Sequence, residues 1–133
     1  MARTFFEVKE VKEVKMEDRL SQMSEKAIQF RDSRDWRQFH DPKNLAEAIS
    51  IEAGELLENF LWIKNPDKSY DLDSRKLENV KEEIADIMIY LMYLCDGLNI
   101  DLPQAVKDKI EINEKKYPIE KAKGNSKKYK ELK

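Results

Sequence analysis
Glu52 and Glu55 in IEAGEL, and Glu83 and Asp86 in EEIADIMIYL, are two acid pairs with one shared spacing. Residues three apart on a helix project to the same side, so each pair presents two carboxylates toward one point. From Ile84 to Leu94, Asp86 is the only charged residue. Carboxylates in such surroundings are costly unless a counter-charge compensates them. Four converging carboxylates therefore predict a cation, and magnesium is the natural one, since it prefers hard oxygen ligands and retained waters. The competing explanation is an internal network of ion pairs with Lys or Arg.

The elements that must carry these acids are helical. Pro42, Pro66, Gly97, Pro103, Pro118 and Gly124 punctuate a helix-compatible chain, with Gly54 the one interior exception. The pattern predicts an all-α fold of four helices near Met16 to Asp35, Pro42 to Ile63, Ser74 to Asp96 and Leu102 to Lys116. Asp41 before Pro42 makes a good N-cap, as does Asp73 or Ser74 before the third helix, and Gly97 suits a helix end. At about 100° per residue, Leu45, Ile49, Leu56 and Phe60 share a face of the second helix; Glu52 falls within it and Glu55 at its edge. Glu83, Asp86 and Tyr90 lie on one arc of the third helix. That helix is apolar nearly all round from Ile84 to Cys95, which predicts subunit contacts and hence a homo-oligomer.

The 133 residues fit a single domain, 1–133, with a charged N-terminal arm over 1–15 that is either solvated or an extension of the first helix, and a Lys-rich tail over 119–133. Acids and bases nearly cancel to a net charge of -2, so no general attraction to a nucleic-acid polymer is expected. From Asp101 onward, however, ten Lys face six Asp or Glu. An anionic ligand would suit both that region and the metal acids upstream. No apolar stretch approaches the roughly 20 residues of a membrane span. The lone Cys95 allows no intrachain disulfide, and the simpler expectation is a reducing, cytoplasmic setting.

Trp36 and Trp62 bracket the Glu52 helix. They are suited to stack a flat base, a contact worth about 1 to 3 kcal/mol, or to serve as core aromatics. His40, the only histidine, suits either that pocket or a structural role in the loop. Lys109, Asn113 and Lys116 step by four and three along one face of the last helix, fit for an anion or for water, and Tyr117 with Pro118 ends it.

These pieces resemble the all-α nucleoside triphosphate pyrophosphohydrolases of the MazG-like superfamily, marked by an ExxE then an ExxD on adjacent helices. FRDSRDWRQFHDPKNLAEAISIEAGELLENFLW, then EEIADIMIYLMYLCDGLNIDLPQAVKDKIEINEKKYP, then KGNSKKY are similar to the dCTP pyrophosphatase branch. RDWRQFHDPKNL is far more specific than the acid spacing. The resemblance implies a helical bundle assembled as a tetramer, a dimer of dimers. It implies magnesium on Glu52, Glu55, Glu83 and Asp86, which are also the catalytic residues. It implies a base pocket at Trp36, His40 and Trp62, with Tyr90, Lys109, Asn113, Lys116 and Tyr117 near the sugar or phosphates. The implied reaction converts a dNTP to dNMP and pyrophosphate, as housekeeping of the nucleotide pool. One departure is Ala27, where dCTP-specific animal members carry a histidine, and it leaves base preference open between dCTP or modified dCTP and a broad dNTP set.

Two other readings compete. A ferritin-like di-iron oxidase needs Glu-x-x-His on two helices, and no Glu precedes His40 by three. A non-catalytic helical module binding a nucleotide or a partner would use the acids for salt bridges alone.

Overall fold
The computed structural model describes residues 5–132, with side chains from Arg19 onward; the expectation of a solvated arm over 1–15 lies outside the described side chains. Five α-helices and no strand are found among the described residues: α1 Phe5–Asp32, α2 Pro42–Glu58, α3 Ser74–Leu98, α4 Leu102–Lys116 and the single turn α5 Ile119–Ala122. The all-helical expectation is met. The chain divides into two compact units, Met1–Asn99 with the first three helices and Ile100–Lys133 with the last two.

Three helix starts share one device. The side chains of Asp41, Asp73 and Asp101 accept hydrogen bonds from the backbone N–H of Asn44 (2.9 Å), Lys76 (2.8 Å) and Gln104 (3.1 Å). Each satisfies a donor with no partner inside its helix and contributes about 1 kcal/mol. Pro42 and Pro103 sit in first turns, where their missing N–H costs nothing.

Three boundaries differ from expectation. α1 begins at Phe5, well before Met16, so the backbone of the expected arm continues the first helix. α2 stops at Glu58 rather than Ile63. The Asn59 amide donates to the carbonyls of Glu55 (3.2 Å) and Leu56 (3.4 Å), and the chain tightens into turns in which Phe60 N–H reaches Leu57. Side-chain bonds of this kind compete with the helix ladder. Trp62 then takes a positive φ of 67°, a conformation costly for a large side chain. α3, finally, passes through Gly97 and ends with Asn99 as a left-handed C-cap, φ 53°. Asn tolerates that region, and so Gly97 is not needed there.

In the first unit, α2 packs on α3 and α1 packs on α3. Leu45, Val80, Met92 and Tyr93 form the buried core, each side chain gaining about 1.5 to 3 kcal/mol from lost water contact. Arg31 is buried among them at 2 % exposure. Its guanidinium pairs with Asp32 (2.8 Å) and Asp96 (3.1 Å) and lies 5.3 Å from the centre of the Tyr93 ring. Burial opposes the charge, but the bonds to Asp32 and Asp96 outweigh it and raise the Arg31 pKa. Tyr93 donates its hydroxyl to the Ala27 carbonyl at 2.8 Å. These contacts tie the C-terminal part of α1 to the end of α3. On the remaining surface Ile51 and Leu57 of α2 are each 61 % exposed, and Ile84 of α3 is more than half exposed.

Candidate metal centre and its two cavities
The acid pairs arrive from two helices that pack on each other. Glu52 and Glu55 stand one turn apart on α2 and Glu83 on α3, and ligand oxygens of these three lie within 4.8 Å of one another. Glu52 and Glu83 are half-buried and Glu55 is exposed, as the helical wheel of α2 predicts. Burial first, then the neighbouring carboxyls of Glu83 and Glu55 and the charge on Asp86, push Glu52 up to about 7. A site that raises a carboxyl this far is short of positive charge. Glu83 Oε2 is buried with no hydrogen-bond partner, an acceptor that the chain itself does not satisfy. Hard oxygens at this spacing, one of them unpartnered, fit a divalent cation. Asp86 stands outside the 4.8 Å group, yet it acts on both Glu52 and Tyr90.

Two cavities adjoin the acids, both within the first unit. One, of about 620 Å³, is apolar and lies between α1 and α3; Met23, Ala27, Phe30, Trp36, His40 and Tyr90 line it, and Asp86 opens onto it. Here Trp36 and His40, expected for the base, come together with Tyr90, expected near the sugar or phosphates. Trp36 meets Phe30 edge-on, with ring centres 5.7 Å apart, and Arg34 covers Phe30 at 3.7 Å. His40 stacks on Tyr93 with centres 5.1 Å apart and planes 21° apart, and meets Tyr90 edge-on. Burial, then the Arg31 cation, lower the His40 pKa, so the imidazole is neutral, and its Nδ1 is buried without a partner. Burial first, then Glu52, Asp86 and Glu55, raise the Tyr90 hydroxyl. Tyr90 therefore stands where the apolar cavity meets the acids.

The other cavity, of about 460 Å³, is polar. Glu55 of α2 and Glu83 of α3 line it together with Arg75, Lys76, Asn59 and Asn79. Sequence reasoning missed the basic pair. Arg75 and Lys76 are two charges among many at a helix start; Lys76 shares a face of α3 with Glu83, but the packing of α2 on α3 is what brings Glu55 to the same cavity.

Other expected residues lie apart from these cavities. Trp62 does not line the apolar cavity within one chain; it is 93 % exposed on the turn after α2. Lys109, Asn113 and Lys116 share α4 in the second unit, all exposed, and the Tyr117 N–H bonds the Asn113 carbonyl at 2.8 Å. There the Lys116 ammonium lies 5.0 Å from the centre of the Tyr129 ring, and Tyr117 meets the same ring edge-on.

Residues 48–132, which contain both acid pairs, match the MazG-like family. The chain belongs to the MazG-like family. This MazG-like chain is 40 % identical over 105 residues to the dCTP pyrophosphatase 1 of Homo sapiens and 37 % identical to that of Mus musculus. Those alignments take in 78 % of this chain and 62 % of each relative, so the chain spans about three-fifths of the curated relatives' length. A pyrophosphatase from Archaeoglobus fulgidus, solved by crystallography, superposes on the MazG-like chain with a TM-score of 0.68 at 48 % identity, covering 77 % of this chain and 92 % of that one. Among the described residues no helix is long and apolar enough to cross a membrane.

Proposed function
We propose that the chain hydrolyses a deoxynucleoside triphosphate to the monophosphate and pyrophosphate, with dCTP or a modified dCTP as the leading substrate, and does so with magnesium held by Glu52, Glu55, Glu83 and Asp86. The observation that carries this reading is the acid cluster, with its unpartnered Glu83 oxygen, set beside an aromatic cavity on one side and a polar cavity on the other. Pyrophosphatase relatives at 37–48 % identity support the reaction class.

Each part of the substrate has a matching environment. A base enters the apolar cavity, where Trp36 offers a ring face and neutral His40 a free ring nitrogen. Tyr90 sits between base and acids and holds the sugar. Bound magnesium supplies charge compensation for the triphosphate and acidifies water at neutral pH. Glu55, the exposed acid, orients a water through a carboxylate oxygen and takes its proton. Lys109, Asn113, Lys116 and Tyr117 serve the phosphates and sugar on this reading, and Trp62 serves the base. The chain acts as one functional domain in the cytoplasm, where a lone Cys95 with its thiol pKa raised by burial stays reduced. The exposed Ile51, Leu57, Ile84 and Trp62 support self-association, as a tetramer built from two dimers.

A second reading is a broad dNTP pyrophosphatase. Ala27 on the cavity wall, and a volume of about 620 Å³, favour it. Incubation of the protein with magnesium and each dNTP, plus a 5-modified dCTP, followed by chromatography separates the two. Monophosphate and pyrophosphate from cytosine nucleotides alone support the first reading, and similar turnover of several bases supports the second. No turnover of any dNTP, with magnesium still bound, defeats both.

A further inference from the structure
We propose that Arg75 and Lys76 form a pyrophosphate seat facing the acid cluster, an assignment that rests on the reaction proposed above and names where its leaving group is held. The polar cavity of about 460 Å³ carries Glu55 and Glu83 of the acid cluster together with Arg75, Lys76, Asn59 and Asn79. At roughly 30 Å³ per water it has space for the equivalent of about fifteen waters, ample for two phosphoryl groups and their hydration.

Its charge arrangement is specific. A cavity lined by acids alone would take a cation, and one lined by bases alone would take an anion. This one has both, and they leave each other alone. Glu58 and Asp73 add two further acids to the lining. Asp73 is engaged in capping α3, accepting from the Lys76 backbone N–H. The ion pairs among the described residues are Arg31 with Asp32 and Asp96, Lys43 with Glu47, and Lys81 with Glu78; none uses the Arg75 or Lys76 side chain. Both side chains are exposed in the first turn of a 25-residue helix, whose dipole adds positive potential there. The Arg75 fork suits two oxygens of one phosphoryl group, and the Lys76 ammonium a single oxygen. About two turns further along α3, Glu83 Oε2 is buried with no donor of its own, so an acid, metal-binding wall adjoins the basic one. A polyanion that arrives with a divalent cation satisfies both walls at once, whereas either ion alone satisfies one.

In the hydrolysis, water adds its oxygen to phosphorus and the phosphoanhydride bond between the α- and β-phosphoryl groups breaks. Pyrophosphate leaves with that bond's electron pair, and the proton from water passes to Glu55 and then to solvent. Arg75 and Lys76 hold the two distal phosphoryl groups before cleavage and the same two as product afterwards. The pair therefore selects triphosphates over diphosphates and makes pyrophosphate a product inhibitor.

The test is titration calorimetry of the full chain with inorganic pyrophosphate in excess magnesium, and with magnesium alone. It compares wild type, the Arg75→Ala/Lys76→Ala double variant and Arg75→Lys, with a thermal melt for each. The double variant should lose about tenfold or more in pyrophosphate affinity, with Arg75→Lys between it and wild type. Its magnesium affinity and melt should stay at wild-type level, since both side chains are exposed. Pyrophosphate affinity in the double variant within about twofold of wild type overturns the seat, as does wild type that binds no pyrophosphate. A wild type that binds pyrophosphate through these residues yet hydrolyses no dNTP overturns the proposed reaction and leaves the seat standing. A wild type that hydrolyses dNTPs with the double variant unmoved does the reverse.

Discussion

Replacing Glu52 by Gln should make the metal-free protein more stable at pH 8 while removing its metal site. In the folded chain Glu52 keeps its proton to about pH 7, against an ordinary 4.5, because burial and the Glu83, Glu55 and Asp86 carboxyls oppose its charge. The unfolded chain gives that proton up near 4.5. Between those two values the folded state binds more proton than the unfolded state, so stability falls as pH rises from 4.5 through about 7 and stays low above it. At about 1.4 kcal/mol per pH unit the gap amounts to at most ~3.5 kcal/mol. Water reaches this part-exposed site and screens it, which brings the expected value to ~1–2 kcal/mol. Glu52→Gln abolishes the penalty, because a neutral amide neither repels Glu55 and Glu83 nor ionises. Urea denaturation in EDTA at pH 5 and pH 8 measures it. The variant should match wild type at pH 5 and exceed it at pH 8, whereas in magnesium wild type should gain stability and the variant should not. Equal stability of the two proteins at pH 8 in EDTA, or a less stable variant there, refutes the account of mutual carboxylate repulsion.

Further outcomes follow from the same geometry. Magnesium affinity by calorimetry should fall about tenfold from pH 8 to pH 6, with proton release on binding, because Glu52 must ionise to act as a ligand. Turnover of the preferred dNTP should drop at least ~100-fold in Asp86→Asn while the helical circular-dichroism spectrum is unchanged. Tyr93→Phe removes the 2.8 Å bond to the Ala27 carbonyl and should cost about 1 kcal/mol in urea. Trp62→Asn should raise the stability of the metal-free chain by up to ~1 kcal/mol, since Asn tolerates a φ of 67° that a tryptophan adopts at a cost.

What the sequence made legible is what depends on local spacing. Glu52 and Glu55, three apart on a helix recognisable from its punctuation, had to converge, and Asp before Pro42 had to cap. Glu52 inside an apolar face had to be half-buried. The residues that escaped are those whose place is decided by packing. Arg31 carries no distinguishing mark in the sequence, yet it is buried where Asp96, 65 positions away in the chain, and the Tyr93 ring meet it. Arg75 and Lys76 gained significance only through the neighbouring helix. α2 ends at Glu58 although Leu61, Trp62 and Ile63 continue an apolar run, because the Asn59 amide captures the helix carbonyls. Asp86 kept the expected arc but sits beyond the tight three-oxygen group, a matter of side-chain reach that spacing does not encode.

The ties between α1 and α3 also set the order in which the molecule opens. Among the described side chains they include Arg31 to Asp96, Arg31 over Tyr93, and the Tyr93 hydroxyl to Ala27. α3 packs on α2 as well as on α1, which makes it the more protected of the two helices. Amide hydrogens of α1 should thus exchange ahead of those in the middle of α3, and in a concerted block. Because Met23, Ala27 and Phe30 move with that block, its transient release unroofs the aromatic cavity and lets a base enter sideways. A bound base, bridging α1 and α3, would in turn slow the exchange of a helix remote from any phosphate.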